Sequence, residues 1–414
     1  MRLRSGARHY ADFALWREGN EITLLQNGQA YFPALCEEID QARYSVHLET
    51  YIFNLDETGY GVLRHLSQAC ERGVKVRVVV DGFGSFEHIP ELQRRFSAMG
   101  AQFRVYRPEP RGIGSYRFSL RRLRRLHRKV VVIDQELAFV GGINVHDDLV
   151  DVPIDGYGPK PRFDFAVRVQ GPVVNDLRDA QIALWAKMAW RQRENWASFY
   201  KRLRSWRRRR GGVSGRAKKG AGALRAAVLF RDNVRYRKLI EHAYISAINR
   251  ATQYVLIANS YFLPSRALKK ALQDAAARGV RVRLLLQGRS EYALQFRACR
   301  SMYGTLLAQG IEIYEYLPSY LHAKVAVIDD RAMVGSANMD PFSLLLAREA
   351  NVYIDDEDFA RDLRLRLEAE IKSSSQHVTP LVWEKVSWWT RWLDAGAHAL
   401  LRMGVALTGR SAEY

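Results

Sequence analysis

The sequence contains one stretch that decides how the chain is organised: Leu126-His127-Arg128-Lys129-Val130-Val131-Val132-Ile133-Asp134, followed by Gly141-Gly142-Ile143-Asn144. It occurs twice, because Leu321-His322-Ala323-Lys324-Val325-Ala326-Val327-Ile328-Asp329 repeats it and Gly335-Ser336-Ala337-Asn338 follows. Each copy has a His, a Lys two residues later, an Asp five residues after the Lys, and a downstream Asn. The run between Lys and Asp is apolar and rich in β-branched residues, which predicts a buried strand. Because His and Lys are two residues apart, both side chains would point to the same face of that strand.

The similarity between the two halves extends well beyond this motif. Glu71-Arg72-Gly73-Val74-Lys75-Val76-Arg77 is matched by Ala277-Arg278-Gly279-Val280-Arg281-Val282-Arg283, and residues 99–106 are matched by residues 309–316. In each half, helical segments alternate with apolar strands, and glycines stop the helices at equivalent places. The repeat is therefore a whole domain of roughly 190 residues, far longer than the repeats of solenoid proteins. The order of helices and strands predicts an α/β fold of two pseudo-symmetric domains, each a mixed sheet covered by helices.

Changes in composition divide the chain into four predicted parts. A stretch between the halves is rich in basic residues and glycine and has no acidic residue, which predicts a mobile linker. The predicted parts are an N-terminal domain, this basic linker, a C-terminal domain and a tryptophan-rich amphipathic tail, at residues 1–200, 201–225, 226–380 and 381–414. Within the first domain, residues 21–25 are predicted to form an edge strand, with a turn at Asn27-Gly28.

The composition favours a globular protein that meets a polyanion. Of the 414 residues, 48% are hydrophobic, and the formal net charge is +20. Such a charge suits either nucleic acid or an anionic lipid surface, and composition does not choose between them. The three cysteines are widely spaced, which argues against a disulfide framework or a zinc site and fits a reducing compartment. We expect neither a signal peptide nor a transmembrane helix, because no apolar run is long enough.

Two further segments are candidates for contact with a membrane. The tail contains Trp383, Trp388, Trp389 and Trp392, and an amphipathic segment of indoles and arginines is typical of a membrane interface. The alternative is a terminal helix that packs on the domain with its tryptophans in the core; both interpretations stay open, and membrane contact is favoured for the last turns. The basic cluster Arg121-Arg122-Leu123-Arg124-Arg125 directly precedes the first motif, and we expect it on the anionic-lipid side of the site's entrance.

The doubled motif predicts phosphoryl-transfer chemistry. An imidazole can attack phosphorus or move a proton near neutral pH. A lysine ammonium and an asparagine amide can donate hydrogen bonds to phosphoryl oxygens and stabilise the charge of a pentacoordinate phosphorus. Two such sets facing each other would hold a phosphodiester between two histidines, one acting as nucleophile and the other protonating the leaving oxygen. The scheme needs no metal ion and no cofactor, and we predict none.

The paired His-x-Lys-x-x-x-x-Asp and Gly-x-x-Asn sequences resemble those of the phospholipase D superfamily, and the resemblance covers nearly all of the chain, from about residue 20 to about residue 375. Within that superfamily, the chain is most similar to bacterial cardiolipin synthases of the shorter, B type. The finer resemblance is carried by Trp16-Arg17-Glu18-Gly19-Asn20, Leu48-Glu49-Thr50-Tyr51-Ile52-Phe53, Met339-Asp340-Pro341-Phe342-Ser343-Leu344 and Glu349-Ala350-Asn351-Val352. It implies two similar α/β domains that share one active site at their interface.

The resemblance also implies roles for the histidines and for two acidic residues. His127 would be the nucleophile, and His322 would be the acid and then the base. In relatives, an acidic residue after each motif orients the histidine of the opposite motif. This pattern assigns Asp164 to His322 and Glu349 to His127.

The other motif residues receive roles by the same resemblance. Asp134 and Asp329 belong to the catalytic motif but are expected to hold strands and loops. Apart from the resemblance, Tyr51 and Tyr261 occupy matched positions in the two halves and could be core aromatics or line a pocket, with the core favoured. Gly142 stands where the second copy has a serine, which supports unequal roles for the two copies. The residues implied to bind phosphate are Lys129, Lys324, Asn144, Asn338 and Ser336.

The predicted function is cardiolipin synthesis, in which a phosphatidyl group passes from one phosphatidylglycerol to another through a phosphatidyl-histidine and glycerol is released. We expect a peripheral protein of the bacterial inner membrane, on its cytoplasmic side, whose partners are phosphatidylglycerol and other anionic phospholipids. No nucleic acid partner is expected, and no oligomeric state is predicted. The alternatives are a phospholipase D-type hydrolase or nuclease of the same superfamily, and a non-catalytic lipid- or nucleic-acid-binding module, which would leave both motifs unexplained.

Overall fold

The computed structural model describes residues 14–109, 124–154, 159–191, 222–232, 236, 238–341, 343 and 346–406. The first half contains, in order, β1 (Arg17–Gln26), α1 (Asn27–Gln41), β2 (Ser45–Thr50), α2 (Glu57–Glu71), β3 (Lys75–Asp81), α3 (Ile89–Ala98), β4 (Gln102–Tyr106), β5 (Lys129–Ile133), β6 (Leu137–Gly141), β7 (Phe165–Gln170) and α4 (Val173–Arg191). The second half contains β8 (Leu224–Arg231), α5 (Leu239–Arg250), β9 (Tyr254–Asn259), α6 (Arg266–Ala277), β10 (Arg281–Gln287), α7 (Ala293–Arg300), α8 (Tyr303–Leu307), β11 (Glu312–Tyr316), β12 (Lys324–Ile328), β13 (Arg331–Gly335), β14 (Glu349–Asp355), α9 (Glu357–Ser374), β15 (Ser375–Val378), α10 (Pro380–Glu384) and α11 (Trp388–Ala406).

The described strands of both halves form one continuous sheet. Its order is β15-β11-β10-β9-β12-β13-β14-β8-β1-β7-β6-β5-β2-β3-β4. From the β8–β1 junction outward, the two arms repeat the same order of seven equivalent strands, and β15 extends the second arm, so a pseudo-twofold relates the halves. The two pseudo-symmetric α/β halves predicted from the sequence are confirmed. The edge strand predicted at residues 21–25 was wrong, because β1 pairs antiparallel with β7 on one side and with β8 on the other.

The strands divide the core into one inner layer and two outer layers, because alternate side chains of a strand point to opposite faces. The inner layer combines Val130 and Val140 of the first half with Leu256 and Val325 of the second, and it also receives α4 and α9. Helices α1, α2 and α3 cover the outer face of the first half, and α5, α6, α8 and α11 cover that of the second. Strands β5 and β12 are buried along their whole length, which explains why their sequences are continuously apolar.

Equivalent turns in the two halves have the same local cause. Gly73 and Gly279 follow α2 and α6 with φ of 85° and 86°, a left-handed conformation in which glycine avoids the strain of a Cβ. At the other end of these helices, the side chains of Asp56 and Ser265 accept hydrogen bonds from first-turn N–H groups. Similar helix starts and stops therefore give both halves the same path into the next strand.

The structure locates the boundaries and the tail more closely than the sequence did. Strand β8 begins at Leu224, inside the predicted linker, and residues 201–221 of that linker lie outside the described residues, as do residues 407–414 of the tail. The tail is divided: Trp383 is buried in the second half, whereas Trp388, Trp389 and Trp392 are exposed. Helices α4 and α9 had no counterpart in the sequence-based prediction. Among the described helices, none has both the length and the apolar character needed to cross a bilayer.

Candidate active site

The two motif histidines lie beside the starts of β5 and β12, where main-chain bridges connect the halves. His127 donates its backbone N–H to the carbonyl oxygen of Arg348, at 3.0 Å. The second motif repeats this arrangement, because His322 donates its backbone N–H to the carbonyl oxygen of Phe163, at 2.9 Å. Each motif is thus fixed by the backbone of the opposite half.

The bridges bring one acidic side chain to each imidazole. Glu349 follows the first bridge directly, and its Oε1 lies 2.9 Å from Nδ1 of His127. Asp164 follows the second bridge directly, and its Oδ2 lies 2.6 Å from Nδ1 of His322. Both carboxylates are buried. A carboxylate at Nδ1 favours the tautomer that has its proton there, which leaves Nε2 available to attack or to carry a proton.

The two pairs differ in alignment. His322 and Asp164 form a directed hydrogen bond, and the carboxylate also accepts the N–H of Phe165 at 2.8 Å. His127 and Glu349 are at hydrogen-bond distance, but neither Nδ1 nor Oε1 completes a directed hydrogen bond. This pair is therefore an electrostatic contact at short distance, whereas its counterpart is an oriented hydrogen bond.

Equivalent positions of the two motifs hold a serine beside Glu349 and a glycine beside Asp164. The buried hydroxyl of Ser336 donates to Glu349 and accepts the N–H of Ala350 at 3.1 Å. A Cβ on Gly142 would lie 2.3 Å from Oδ1 of Asp164, so the glycine leaves the room that this carboxylate occupies. The hydroxyl of Ser336 is bonded to the carboxylate that faces the first histidine, and its contact with phosphate remains a prediction.

Both motif lysines are buried in the site. Nζ of Lys129 donates to the carbonyl oxygen of His127 at 2.7 Å, and Lys324 donates in the same way to His322. Burial lowers the pKa of Lys129 to about 7, although the charge of Glu349 opposes this. Burial likewise lowers the pKa of Lys324 to about 8. Because an ammonium has three N–H groups, each lysine keeps donors beyond the one bonded to its histidine.

The surroundings favour neutral imidazoles. Burial lowers the pKa of His127, and Glu349 opposes the shift. Burial also lowers the pKa of His322 well below its ordinary value, and the charges of Lys324 and Lys129 lower it further. An anion that entered between the two lysines would offset their charge and raise the pKa of both imidazoles.

The two asparagines have different environments. Oδ1 of Asn144 accepts the N–H of Ile52 at 3.1 Å, which fixes the backbone just after β2. Asn338 is buried, and no described residue donates a hydrogen bond to its Oδ1. The contact of these amides with phosphate remains a prediction.

The motif aspartates lie at the far ends of their strands. Asp134 accepts three backbone N–H groups, from residues 43–45, at 2.7–2.8 Å, and Asp329 accepts three from residues 252–254, at 2.8–3.0 Å. Each is roughly 17 Å along the chain from its motif lysine, at the usual rise of a strand. Although they are grouped with the catalytic motif, they bond the loops before β2 and β9, in keeping with the holding role expected of them. Among the described side chains, no group of three or more His, Cys, Asp or Glu could hold a metal ion.

Tyr51 lines the site, which corrects the expectation that it belongs to the core. Its ring centre is 4.9 Å from that of His127, and Nζ of Lys129 lies 5.4 Å from it. The sequence did contain a signal, because Tyr51 and Tyr261 stand just after equivalent strands. An aromatic residue in that position suits a core and a pocket equally, so the sequence alone did not decide.

An ion pair at the site connects the halves and was not predicted. Arg162 donates to Glu291 at 2.9 Å. The hydroxyl of Tyr261 donates to the other oxygen of Glu291 at 3.4 Å. Arg162 is two residues before Asp164, so this pair lies close to the carboxylate that holds His322.

Two strand-end residues support the segments that lead into the motifs. Asp81, at the end of β3, accepts the N–H of Leu126 at 2.8 Å. Gln287, at the end of β10, accepts the N–H of Leu321. Both are buried, and each precedes a glycine, a matched pattern that the sequence offered but that was not used.

Within the basic cluster before the first motif, Arg125 has a structural role, and the expected lipid-side role of the other cluster residues stays a prediction. Residues 121–123 lie outside the described residues. Arg125 pairs with Glu109 and lies 3.7 Å from Asp81, and its guanidinium stands over the ring of Phe83 at 5.1 Å. Arg125 thus fixes the segment before the motif, and its charge is compensated within the protein.

Comparison with known proteins gives consistent matches along both halves. The family described as "Cardiolipin synthase, PLD-like domain" matches residues 35–151 and 244–371. Cardiolipin synthase B of Escherichia coli is 37% identical over 395 residues, which cover 95% of this chain and 91% of that protein. Cardiolipin synthase 1 of Staphylococcus epidermidis is 30% identical over 375 residues, which cover 90% and 72%.

A solved structure shows the same fold. Phosphatidylserine synthase of Haemophilus influenzae matches with a TM-score of 0.63 at 13% identity, over 94% of this chain and 95% of that one. The prediction of a phospholipase D superfamily enzyme is confirmed by the family match and by the relatives. With one family match in each half and relatives that align over nearly its whole length, the chain belongs to the phospholipase D-like cardiolipin synthase family.

Proposed function

We propose that the protein transfers a phosphatidyl group from one phosphatidylglycerol to a second and so forms cardiolipin and glycerol. In the first step, Nε2 of His127 bonds to phosphorus as the bond to the glycerol oxygen breaks, and His322 gives its proton to that oxygen. In the second step, His322 takes the proton from a hydroxyl of the second phosphatidylglycerol. The oxygen of that hydroxyl bonds to phosphorus as the bond to His127 breaks. One ester replaces another, so the scheme uses no cofactor.

The observation that carries this proposal is the reciprocal holding of the two histidines. Each Nδ1 faces a buried carboxylate from the opposite half, so both Nε2 atoms remain for chemistry. Lys129 and Lys324 add ammonium groups to the same site, which suits a phosphodiester because fixed cations stabilise the charge that develops on its oxygens.

The unequal surroundings support the division of roles. His322 has to hold a proton when the donor lipid arrives, and the aligned carboxylate of Asp164 supports an imidazolium. Burial and then the two lysines oppose that proton, and a bound phosphodiester would offset the charge of the lysines, so protonation of the acid is coupled to substrate binding. Ser336 donates a hydrogen bond to Glu349, so this carboxylate stabilises a protonated His127 less strongly and a neutral, nucleophilic His127 is favoured.

We place this reaction at the surface of the bacterial inner membrane, on its cytoplasmic side. Phosphatidylglycerol and other anionic phospholipids would be both substrates and membrane partners, and nucleic acid is not expected. The formal charge of +20 supports contact with an anionic surface. The relatives named cardiolipin synthase support the choice of donor and acceptor.

A phospholipase D-type hydrolase is the second candidate, because water could release the same phosphatidyl-histidine. The deep burial of both lysines favours transfer, since a site that excludes water protects the intermediate. A nuclease would suit the net charge equally well. The exposed tryptophans of α11 favour a lipid substrate over nucleic acid.

Incubation of the pure protein with phosphatidylglycerol vesicles and, separately, with plasmid DNA tests the proposal. The wild type should produce cardiolipin and glycerol in equal amounts, and both His127→Ala and His322→Ala should lose this activity. His377→Ala is the matched control, because it changes an exposed histidine on β15. Label from the phosphatidyl group should be trapped on the wild type and not on His127→Ala. DNA nicking without lipid turnover, or phosphatidic acid as the main product, would refute the proposal.

A further inference from the structure

Helix α11 exposes an uncharged face to solvent. Its exposed large hydrophobic side chains are Trp388, Trp389, Trp392, Leu393, Leu400 and Met403. At the angular spacing of an α-helix they fall within an arc of about 140° that contains no charged residue. The opposite face holds Asp394, Ala397 and Leu401, which are buried in the second half. The fold therefore covers one side of α11 and leaves the indole side uncovered.

Cations border this uncovered face. Arg391 and Arg402 are exposed and lie on the polar side of α11, next to the indole face. Indoles prefer the boundary between headgroups and acyl chains, and arginines at that depth meet anionic headgroups. The combination is typical of a helix that lies in a bilayer interface.

Contacts between α11 and α7 show where this face lies. Arg297 of α7 pairs with Asp394 at 3.4 Å, and one turn further along, Ser301 bonds to His398 at 3.1 Å. Both contacts advance together along the two helices, so α7 and α11 run in broadly the same direction. The tryptophan end of α11 therefore lies toward the start of α7.

The start of α7 is at the mouth of the active site. Tyr292 immediately precedes the helix, is exposed, and packs against Tyr261 with ring centres 6.2 Å apart. Its neighbour Glu291 pairs with Arg162, beside the carboxylate that holds the second histidine. From the other half, the exposed ring of Phe83 lies next to the segment that leads into the first motif. Exposed aromatic side chains thus extend from the mouth of the site toward the tryptophans of α11.

We propose that the indole face of α11 and the aromatic side chains at the mouth of the site form one surface that inserts into the interface of an anionic phospholipid bilayer. This surface turns the mouth toward the membrane, so lipid headgroups reach the histidines without leaving the interface. The proposal rests on the proposed function for the identity of the lipid. A second copy of the chain is the competing occupant of the same face.

Binding to vesicles in the absence of turnover tests this proposal separately from the proposed function. The triple variant Trp388→Ser, Trp389→Ser and Trp392→Ser should bind vesicles of phosphatidylglycerol and phosphatidylcholine more than about tenfold more weakly than the wild type. The matched control is Leu365→Ser, an exposed leucine on α9, which packs on the opposite face of the sheet from α11. The control should bind vesicles as the wild type does, and all variants should have the thermal midpoint of the wild type.

A second measurement tests whether the tryptophans enter the bilayer, and a third, of the oligomeric state, tests whether a second copy covers the face. Brominated acyl chains should quench the tryptophan fluorescence of the wild type and of the control, and quench that of the triple variant much less. Unchanged vesicle binding by a folded triple variant would overturn the proposal, whether or not the protein makes cardiolipin. Conversion of an oligomer to a monomer with unchanged vesicle binding would assign the face to a second copy instead. If the wild type binds through this face but makes no cardiolipin, only the proposed function fails.

Discussion

The geometry around Gly142 gives the sharpest prediction for the active site. A methyl group at this position would lie 2.3 Å from Oδ1 and 2.5 Å from Oδ2 of Asp164, whereas real Cβ contacts essentially never fall below 3.0 Å. In Gly142→Ala the carboxylate must therefore retreat by about 0.7 Å or more. It cannot do so freely, because it holds His322 at 2.6 Å and the N–H of Phe165 at 2.8 Å.

The cost of this retreat follows from the role of the carboxylate. A misplacement near 1 Å can cost about 10²-fold in rate, and loss of tautomer control in a carboxylate–histidine pair can cost about 10⁴-fold. We expect kcat of Gly142→Ala to fall by roughly 10²- to 10³-fold, or about 3–4 kcal/mol in the barrier. KM should change less than kcat, because Lys129 stays in place to bind phosphate, although Lys324 lies 3.9 Å from the displaced carboxylate.

Steady-state cardiolipin formation by Gly142→Ala, together with its thermal unfolding, checks this prediction. The control is Gly61→Ala on α2, where an added Cβ meets no atom within 4 Å, so its activity should equal that of the wild type. The double variant Gly142→Ser, Asp164→Glu copies the Ser336–Glu349 pair of the other half and should be about tenfold more active than Gly142→Ser alone. A kcat for Gly142→Ala within about twofold of the wild type would refute the reasoning.

Three further predictions concern single side chains. Ser336→Ala removes a buried donor from Glu349 and should lower kcat by about tenfold without unfolding the protein. Asp329→Asn should lower the free energy of unfolding by about 1–3 kcal/mol and leave kcat unchanged, with Asp330→Asn as control. Burial acts to raise the pKa of Asp329, but hydrogen bonds from three backbone N–H groups outweigh burial and hold that pKa below its usual value. The difference in the free energy of unfolding between the wild type and Asp329→Asn should therefore be largest near neutral pH and should vanish as pH falls through the lowered pKa. Burial lowers the pKa of His47 to about 3, so as pH falls the histidine is protonated in the unfolded chain before it is protonated in the folded protein. The thermal midpoint of the wild type should therefore fall between about pH 6.5 and pH 3, and that of His47→Gln should fall less over the same range.

The sequence predicted the two-half fold because duplication supplies each pattern twice. Equivalent glycines after α2 and α6 and equivalent apolar runs in β5 and β12 could not both be accidents. The position of β1 could not be predicted, because alternation shows which face of a strand is buried and not which strand lies beside it. The pairing of Asp164 and Glu349 with opposite histidines came from the resemblance, and the main-chain bridges that create it have no pattern of their own in the sequence. The target of the Ser336 hydroxyl was equally hidden, since phosphate and carboxylate are both acceptors.

The pseudo-twofold explains why one docking arrangement can build the whole site. In each half, the backbone N–H of the motif histidine bonds to a carbonyl oxygen of the other half, and the residue after that carbonyl supplies the acid. Because the two bridges are equivalent by symmetry, the same placement of one half on the other positions both carboxylates. The remaining asymmetry lies behind these carboxylates, where glycine accompanies the shorter aspartate and serine accompanies the longer glutamate. It changes how firmly each imidazole is held while both bridges stay intact, so two equivalent motifs can take unequal chemical roles within one symmetric frame.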